Sequence, residues 1–216
     1  MPNENLNRFD YFVSSVYQID KPEFLETVKE VSEEYLDLTK KEKKELDEIY
    51  PCVMSHSFFD DERVKDFATF IGDMAWQILQ SQGYQMGNKL TYFTEMWTQE
   101  HHKHSSMEQH VHGRGTQIVG FYFLEAPENS SKAIFHDPRQ GKVLTNLEEA
   151  DTTMATSASI AVNFTPTAGS FIFTNASLPH SFTRHANDNP LKFVHFNVCV
   201  ADSVMDTCPV TQAEVI

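Results

Sequence analysis

Basic residues are scarce in this chain, and cysteines and long apolar runs are scarcer. Seventeen Lys and Arg stand against 31 Asp and Glu, for a formal charge of −14. So acidic a surface is repelled by phosphate backbones and anionic lipid unless its cations gather on one face, so neither nucleic-acid nor membrane partners are expected. The three cysteines, Cys52, Cys199 and Cys208, are an odd number at spacings that fit no zinc or redox motif. Free thiols in a reducing compartment are the expectation. No apolar run approaches the ~18 residues of a membrane span, and the opening Met-Pro-Asn-Glu-Asn is neither basic nor apolar enough for a secretory leader. A cytoplasmic protein is expected.

What the chain does have is 216 residues, 40% of them hydrophobic, with 17 Phe. That suits a single folded domain with a real core. Between Lys21 and about Tyr50 the sequence is charged, with Phe24, Val28, Val31, Tyr35, Leu36 and Leu38 at helical spacing. A second helix is expected to open at Asp60 or Asp61 and run through Val64, Phe67, Ile71, Met74 and Ile78 to stop near Gly83. From Lys89 the texture changes to short runs of β-branched and aromatic residues between turn clusters. The spacing predicts strands at 90–100, 107–111, 116–124, 133–136, 160–163, 170–175 and 191–200. Helices in front of short strands, without βαβ alternation, argue an α+β fold with a rolled antiparallel barrel. The division expected is 1–88 mainly helical support, 89–200 barrel and 201–216 tail, all one domain.

The ten histidines cluster. His110 and His112 matter most, because residues i and i+2 of a strand share a face with side chains ~7 Å apart, from which two imidazoles can converge on one metal. A third ligand must come from a strand that rolls alongside, and His180 is the best-placed candidate. His101, His102 and His104 read instead as an exposed loop or strand end, since adjacent strand residues face opposite ways. Trp97 and the Phe-rich strands read as core.

The order Glu95-Met96-Trp97, His110-Val111-His112, Val119-Gly120-Phe121-Tyr122-Phe123-Leu124, Phe135-His136-Asp137-Pro138-Arg139, Gly169-Ser170-Phe171-Ile172-Phe173 leading to Leu178-Pro179-His180, and Phe196-Asn197 resembles the 2-oxoglutarate- and Fe(II)-dependent oxygenases. These small relatives of prolyl hydroxylases are known from marine bacteria and their phages. The resemblance spans roughly residues 90–200. It implies a double-stranded β-helix (jelly-roll, cupin-like) barrel with N-terminal helices packed against it, and a facial iron site with open positions for cosubstrate and dioxygen.

Carried over residue by residue, the resemblance puts His110 and His180 at the two histidine positions. The middle position departs from it, because prolyl hydroxylases have H-x-D where this chain has His112. Either three imidazoles hold the iron, one negative charge poorer than the usual set, or a carboxylate comes from Glu108 or Asp137. The distal carboxylate of 2-oxoglutarate needs a cation, and Lys192 falls in the expected interval after His180. Alignment on Phe196-Asn197 would instead put Leu191 at the family's Arg position and turn Lys192 outward, which favours Arg184. A one-residue register decides between them. Phe123 stands where prolyl hydroxylases often place a Tyr, with Tyr122 as its neighbour, and Arg139 is a candidate for the barrel mouth.

The activity implied is an Fe(II)- and 2-oxoglutarate-dependent dioxygenase that hydroxylates a C–H bond, a prolyl one among the candidates, of a small-molecule or peptidyl substrate. Two alternatives are a cupin-like three-His metalloenzyme without 2-oxoglutarate and a non-catalytic metal-binding barrel. The substrate and the oligomeric state are not legible.

Overall fold

The computed structural model describes residues 7, 9–43, 45–113, 115–144 and 147–203. The last thirteen positions, with Cys208 and most of the expected tail, lie outside the described residues. A proline opens the one-turn 3-10 segment Pro22–Phe24, which feeds α1 (Leu25–Glu42). In α1, Val28, Val31, Ser32, Leu36 and Thr39 fall on one helical face, at steps of one, three and four residues, and are buried. The Asp61 side chain accepts the Arg63 amide at the start of a second 3-10 turn, and α2 (Lys65–Ser81) follows with Phe67, Ile71, Ala75, Ile78 and Leu79 buried. It ends just before Gly83, whose φ of 95° suits a residue without Cβ.

The strands are β1 (Val16–Asp20), β2 (Cys52–Met54), β3 (Lys89–His101), β4 (Met107–His110), β5 (Thr116–Glu125), β6 (Ala133–His136), β7 (Ala161–Phe164), β8 (Ser170–Asn175), β9 (His180–Phe182) and β10 (Leu191–Asp202); a short helix, α3 (Gln140–Leu144), follows β6. They form a six-stranded sheet in the order β1-β8-β5-β10-β3-β2 and a four-stranded sheet in the order β4-β9-β6-β7. Every pairing is antiparallel. From β3 to β10 the chain passes repeatedly from one sheet to the other.

Two apolar clusters follow from strand alternation. On the outer face of the larger sheet, Tyr122, Phe171, Phe173, Val194 and Phe196 meet Val28, Phe67 and Ile71 of the two helices. Between the sheets, Phe121, Phe123 and Phe193 meet Phe135 and Phe182. Gly120 is required where β5 crosses β10, because a Cβ there would lie 2.3 Å from the Phe196 ring and 2.4 Å from the Ile172 carbonyl oxygen.

Several expectations need correction. The first 88 residues are not only helical: β1 and β2 lie there, at the two edges of the larger sheet. Their sequences are too short to show a period of their own, and their pairing partners, β8 and β3, lie far along the chain. Nor is the barrel closed, since the two sheets are separate ladders packed face to face. His101 is not exposed but fully buried, at the last position of β3. No helix among the described residues is long and apolar enough to cross a membrane.

Candidate metal centre

His110 ends β4 and stands directly opposite His180 in the β4–β9 ladder. His112 lies just past the strand, its backbone amide bonded to the Ala176 carbonyl at 3.0 Å. The three rings converge: His110 and His180 have centroids 4.5 Å apart, His110 and His112 5.1 Å, and His112 and His180 5.2 Å with nearly parallel planes. One ring nitrogen from each lies within 4.8 Å of those of the other two. Two ladder partners and one loop residue thus make the set, rather than a pair on one continuous strand.

Backbone carbonyls fix two of the three tautomers. His110 Nδ1 faces the Glu108 carbonyl at 2.8 Å and His180 Nδ1 the Leu178 carbonyl at 3.0 Å, so each ring donates there and keeps Nε2 bare. The Nε2 atoms of His112 and His180 are buried without a hydrogen-bond partner. Burial first, then neighbouring imidazoles, pushes His180 down to about 3 and His112 down to about 4. All three features suit a cation: converged lone pairs, neutral rings, and polar atoms that nothing in the protein satisfies. The residues present fit a metal ion.

His195 and Asn197, on the inner face of β10, complete the surroundings. The His195 ring lies 4.9 Å from that of His112, stacks on Phe121 and meets the edge of Trp97 at 4.5 Å. Its Nδ1 is a further buried atom without a partner, and burial holds the ring well below its usual pKa. Asn197 Nδ2 donates to Glu95 Oε2 at 3.2 Å. Sequence reasoning assigns no site role to His195, and Glu95 and Asn197 enter it only as parts of the family motifs, although period-two alternation along β10 gives Phe193, His195 and Asn197 a common face. At the other end of the space between the sheets lies His101, packed on Phe193 and Phe182, with Nε2 bonded to Gln99 and Nδ1 unpartnered.

The remaining expected site residues go elsewhere. Lys192 faces the helices, its ammonium shared by Glu33, Glu100 and Glu125. It sits one residue out of phase with Phe193, so alternation turns it from the histidines. Tyr122 is on that same outer face, buried against Phe67 and Phe171, with its hydroxyl donating to the Lys21 carbonyl. Arg184 is exposed in the segment after β9. Neither alternative carboxylate joins the set: the Glu108 side chain is exposed, and Asp137 is buried against Arg139 and Lys142. Arg139 thereby closes its own turn, and its guanidinium holds the Asp137 carboxyl well below the usual range.

Residues 95–197 match the family model described as "Putative 2OG-Fe(II) oxygenase". This segment belongs to the 2OG-Fe(II) oxygenase family. It begins at the Glu95 that holds Asn197, ends at Asn197 itself, and contains all three converging histidines. The protein is accordingly an oxygenase that uses Fe(II) and 2-oxoglutarate. No curated protein matches the chain. Solved structures share the fold at low identity. AviO1 from Streptomyces viridochromogenes Tue57 has TM-score 0.59 and 11% identity, over 91% of this chain and 93% of that one. A Pseudomonas putida prolyl-4-hydroxylase has TM-score 0.54 and 10% identity, over 85% and 92%. HygX from Streptomyces hygroscopicus, with nickel and 2-oxoglutarate bound, has TM-score 0.51 and 10% identity, over 86% and 83%.

Proposed function

We propose that His110, His112 and His180 hold the iron of this oxygenase through Nε2, and that the enzyme hydroxylates a C–H bond of a small-molecule or peptidyl substrate. The observation that carries this reading is the convergence of three ring nitrogens within 4.8 Å, two of them with buried lone pairs that no donor reaches. Three protein ligands on one face leave positions open for exogenous ligands. When bound, Fe(II) with 2-oxoglutarate supplies the dioxygen-dependent oxidation of the C–H bond.

The chain's own contribution is orientation and exclusion of water. Glu108 and Leu178 hold two rings in place through their carbonyls, and the Phe121, Phe182 and Phe193 rings keep the inner side of the centre dry. Substrate has room in a cavity of about 550 Å³ lined by Tyr11, Phe12, Phe135, Arg139, Phe164 and Leu178. That cavity is one residue layer from the centre, since Phe135 lies 6.2 Å from the His180 ring and Leu178 supplies its carbonyl partner. Passage of the chain between two facing antiparallel sheets supports a double-stranded β-helix, and the shared outer-face core supports one domain. The thiols of Cys52 and Cys199, both free, suit a reducing cytoplasm.

The test is paired replacement of His110 and His180 by Ala. Fe(II) binding and conversion of 2-oxoglutarate to succinate are expected to disappear together, while the far-ultraviolet circular dichroism stays native. A folded double variant that still turned over 2-oxoglutarate would remove the histidines from the mechanism.

A further inference from the structure

Four strands form the edges of the two sheets, and they are not guarded alike. β2 packs against α1, β1 runs from Asp20 straight into Lys21-Pro22, and the pairing of β4 is broken by an irregularity between Met107 and His110. Cover, charge, proline and bulges are the usual means of stopping another chain from pairing with an edge. β7, Ala161-Val162-Asn163-Phe164, has no charge, no proline and an unbroken register with β6. The ladder also decides which of its backbone groups are spare. The Asp137 amide bonds to the Ile160 carbonyl at 2.9 Å, while the His136 amide turns the other way, to the Pro179 carbonyl at 2.8 Å. With His136 opposite Ala161, antiparallel alternation commits Val162 and Phe164 to β6 and turns the N–H and C=O of Ala161 and Asn163 outward. Among the described residues, no backbone hydrogen bond reaches those four groups.

β7 also forms one wall of the cavity of about 550 Å³, and residues 10–14, which lead into β1, form another. Val162 and Phe164 alternate on its inner side and line the cavity with Phe135 and Leu178, while Tyr11 and Phe12 stand exposed on the opposite wall. The charge around it is negative. The 137–160 connection from β6 to β7 carries the carboxylates of Asp137, Glu148, Glu149 and Asp151, and its two cations, Arg139 and Lys142, both close on Asp137. Asp10 adds a carboxylate on the far wall.

Resting on the reading above that this cavity is the substrate side of the metal centre, we propose that β7 docks an extended, cationic peptide substrate as a fifth strand of the smaller sheet. The peptide backbone pairs with the outward groups of Ala161 and Asn163, at the usual strand spacing of ~4.8 Å. Its apolar side chains, on alternate residues, enter the cavity between Phe135, Phe164 and Leu178, and its cations answer the carboxylates. Leu178 also supplies the carbonyl that holds His180, so the docked chain passes beside the centre. The substrate class is therefore peptidyl.

The probe is fluorescein-labelled acetyl-(Lys-Val)4-amide, read by anisotropy. Wild type should bind it with a Kd under about 1 mM. The same peptide N-methylated at every residue keeps its charge and side chains but cannot donate a backbone hydrogen bond, and should bind at least about 10-fold more weakly. Asn163→Pro removes one outward N–H and leaves the β6 ladder intact, since an edge strand tolerates proline where its amide faces solvent. It should cost about 10-fold in probe affinity, and Ala161→Pro serves if that variant fails to fold. Acetyl-(Glu-Val)4-amide should bind at least about 10-fold more weakly than the cationic probe. Wild-type affinity in a folded proline variant, equal binding of the N-methylated or acidic peptide, or no binding of the probe to wild type would overturn the proposal. So would a wild-type dimer that Asn163→Pro dissociates in sedimentation, because the edge would then belong to a second copy of the chain. The variant with His110→Ala and His180→Ala separates the two levels. It should lose Co(II) yet keep its probe affinity: retained Co(II) would sink the three-histidine reading, whereas intact Co(II) binding in a wild type that ignores the probe removes only the docking edge.

Discussion

The two faces of the six-stranded sheet differ in how they treat polar atoms. On the outer face, each polar side chain under the helices has a partner: Thr98 donates to Ser32, Tyr122 to the Lys21 carbonyl, and Lys192 meets three carboxylates. On the inner side lie five of the six buried side-chain atoms without a partner among the described residues: His101 Nδ1, His112 Nε2, His180 Nε2, His195 Nδ1 and Asn197 Oδ1. Leaving a buried donor or acceptor unmade costs about 1–3 kcal/mol. Evolution of a merely stable fold would distribute or remove such groups. Their concentration beside one set of converging imidazoles marks the inner side as a surface completed by something other than protein.

The largest expected effect tests the packing that keeps the faces apart. In Gly120→Ala the new Cβ must displace both the Phe196 ring and a backbone oxygen of β8, and the backbone cannot give. A loss of about 3 kcal/mol in denaturant unfolding is expected, at the upper end for overpacking. Next comes Lys192→Met, which removes the cation from buried Glu100 while Lys40 remains to pair with it. About 2 kcal/mol of stability should go. If the outer face is only structural, the affinity for 2-oxoglutarate should stay within twofold of wild type. A selective loss of 2-oxoglutarate binding in a stable Lys192→Met protein would erase the distinction between the faces.

How much of this was legible in the sequence depended on the range of the interactions involved. Both helices followed from local periodicity, and the cap at Asp60 or Asp61 from a carboxylate acceptor placed before the apolar run; Asp61 is the one that accepts. Strands such as Ala133–His136 and Ser170–Asn175 are bounded by turn residues and were readable to the residue. β1 and β9 were not, because short strands are defined by distant partners, β8 for one and β4 with β6 for the other. The three histidines were readable as a set because two lie in one short segment and the third follows an apolar strand. Lys192 was misassigned for the reason that makes β-structure hard to read: one step of register exchanges the inner face for the outer. His101 was misread because adjacent histidines look like a polar loop until the ladder with Leu191 draws the first of them inside.

The smallest effect concerns acid. Burial, and then the charges of His185 and His102, pushes His101 down to about 3, against about 6.5 for a histidine in the unfolded chain. Between those values the unfolded state binds the proton and the folded state does not, so the contribution is fully present above pH 6.5 and is lost as the pH falls. For one such group the loss between pH 6.5 and 5.5 is about 1 kcal/mol. His112, His180 and His195 act in the same direction, so metal-free protein should lose stability steeply over this interval. His101→Phe, which keeps an aromatic ring against Phe182 and Phe193, should remove about 1 kcal/mol of that loss while the rest of the slope remains. Urea unfolding of the metal-free protein at the two pH values reads the difference directly. An unchanged slope would mean that His101 finds a proton-accepting partner inside the fold, and the inner side would then be less unsatisfied than the outer face makes it look.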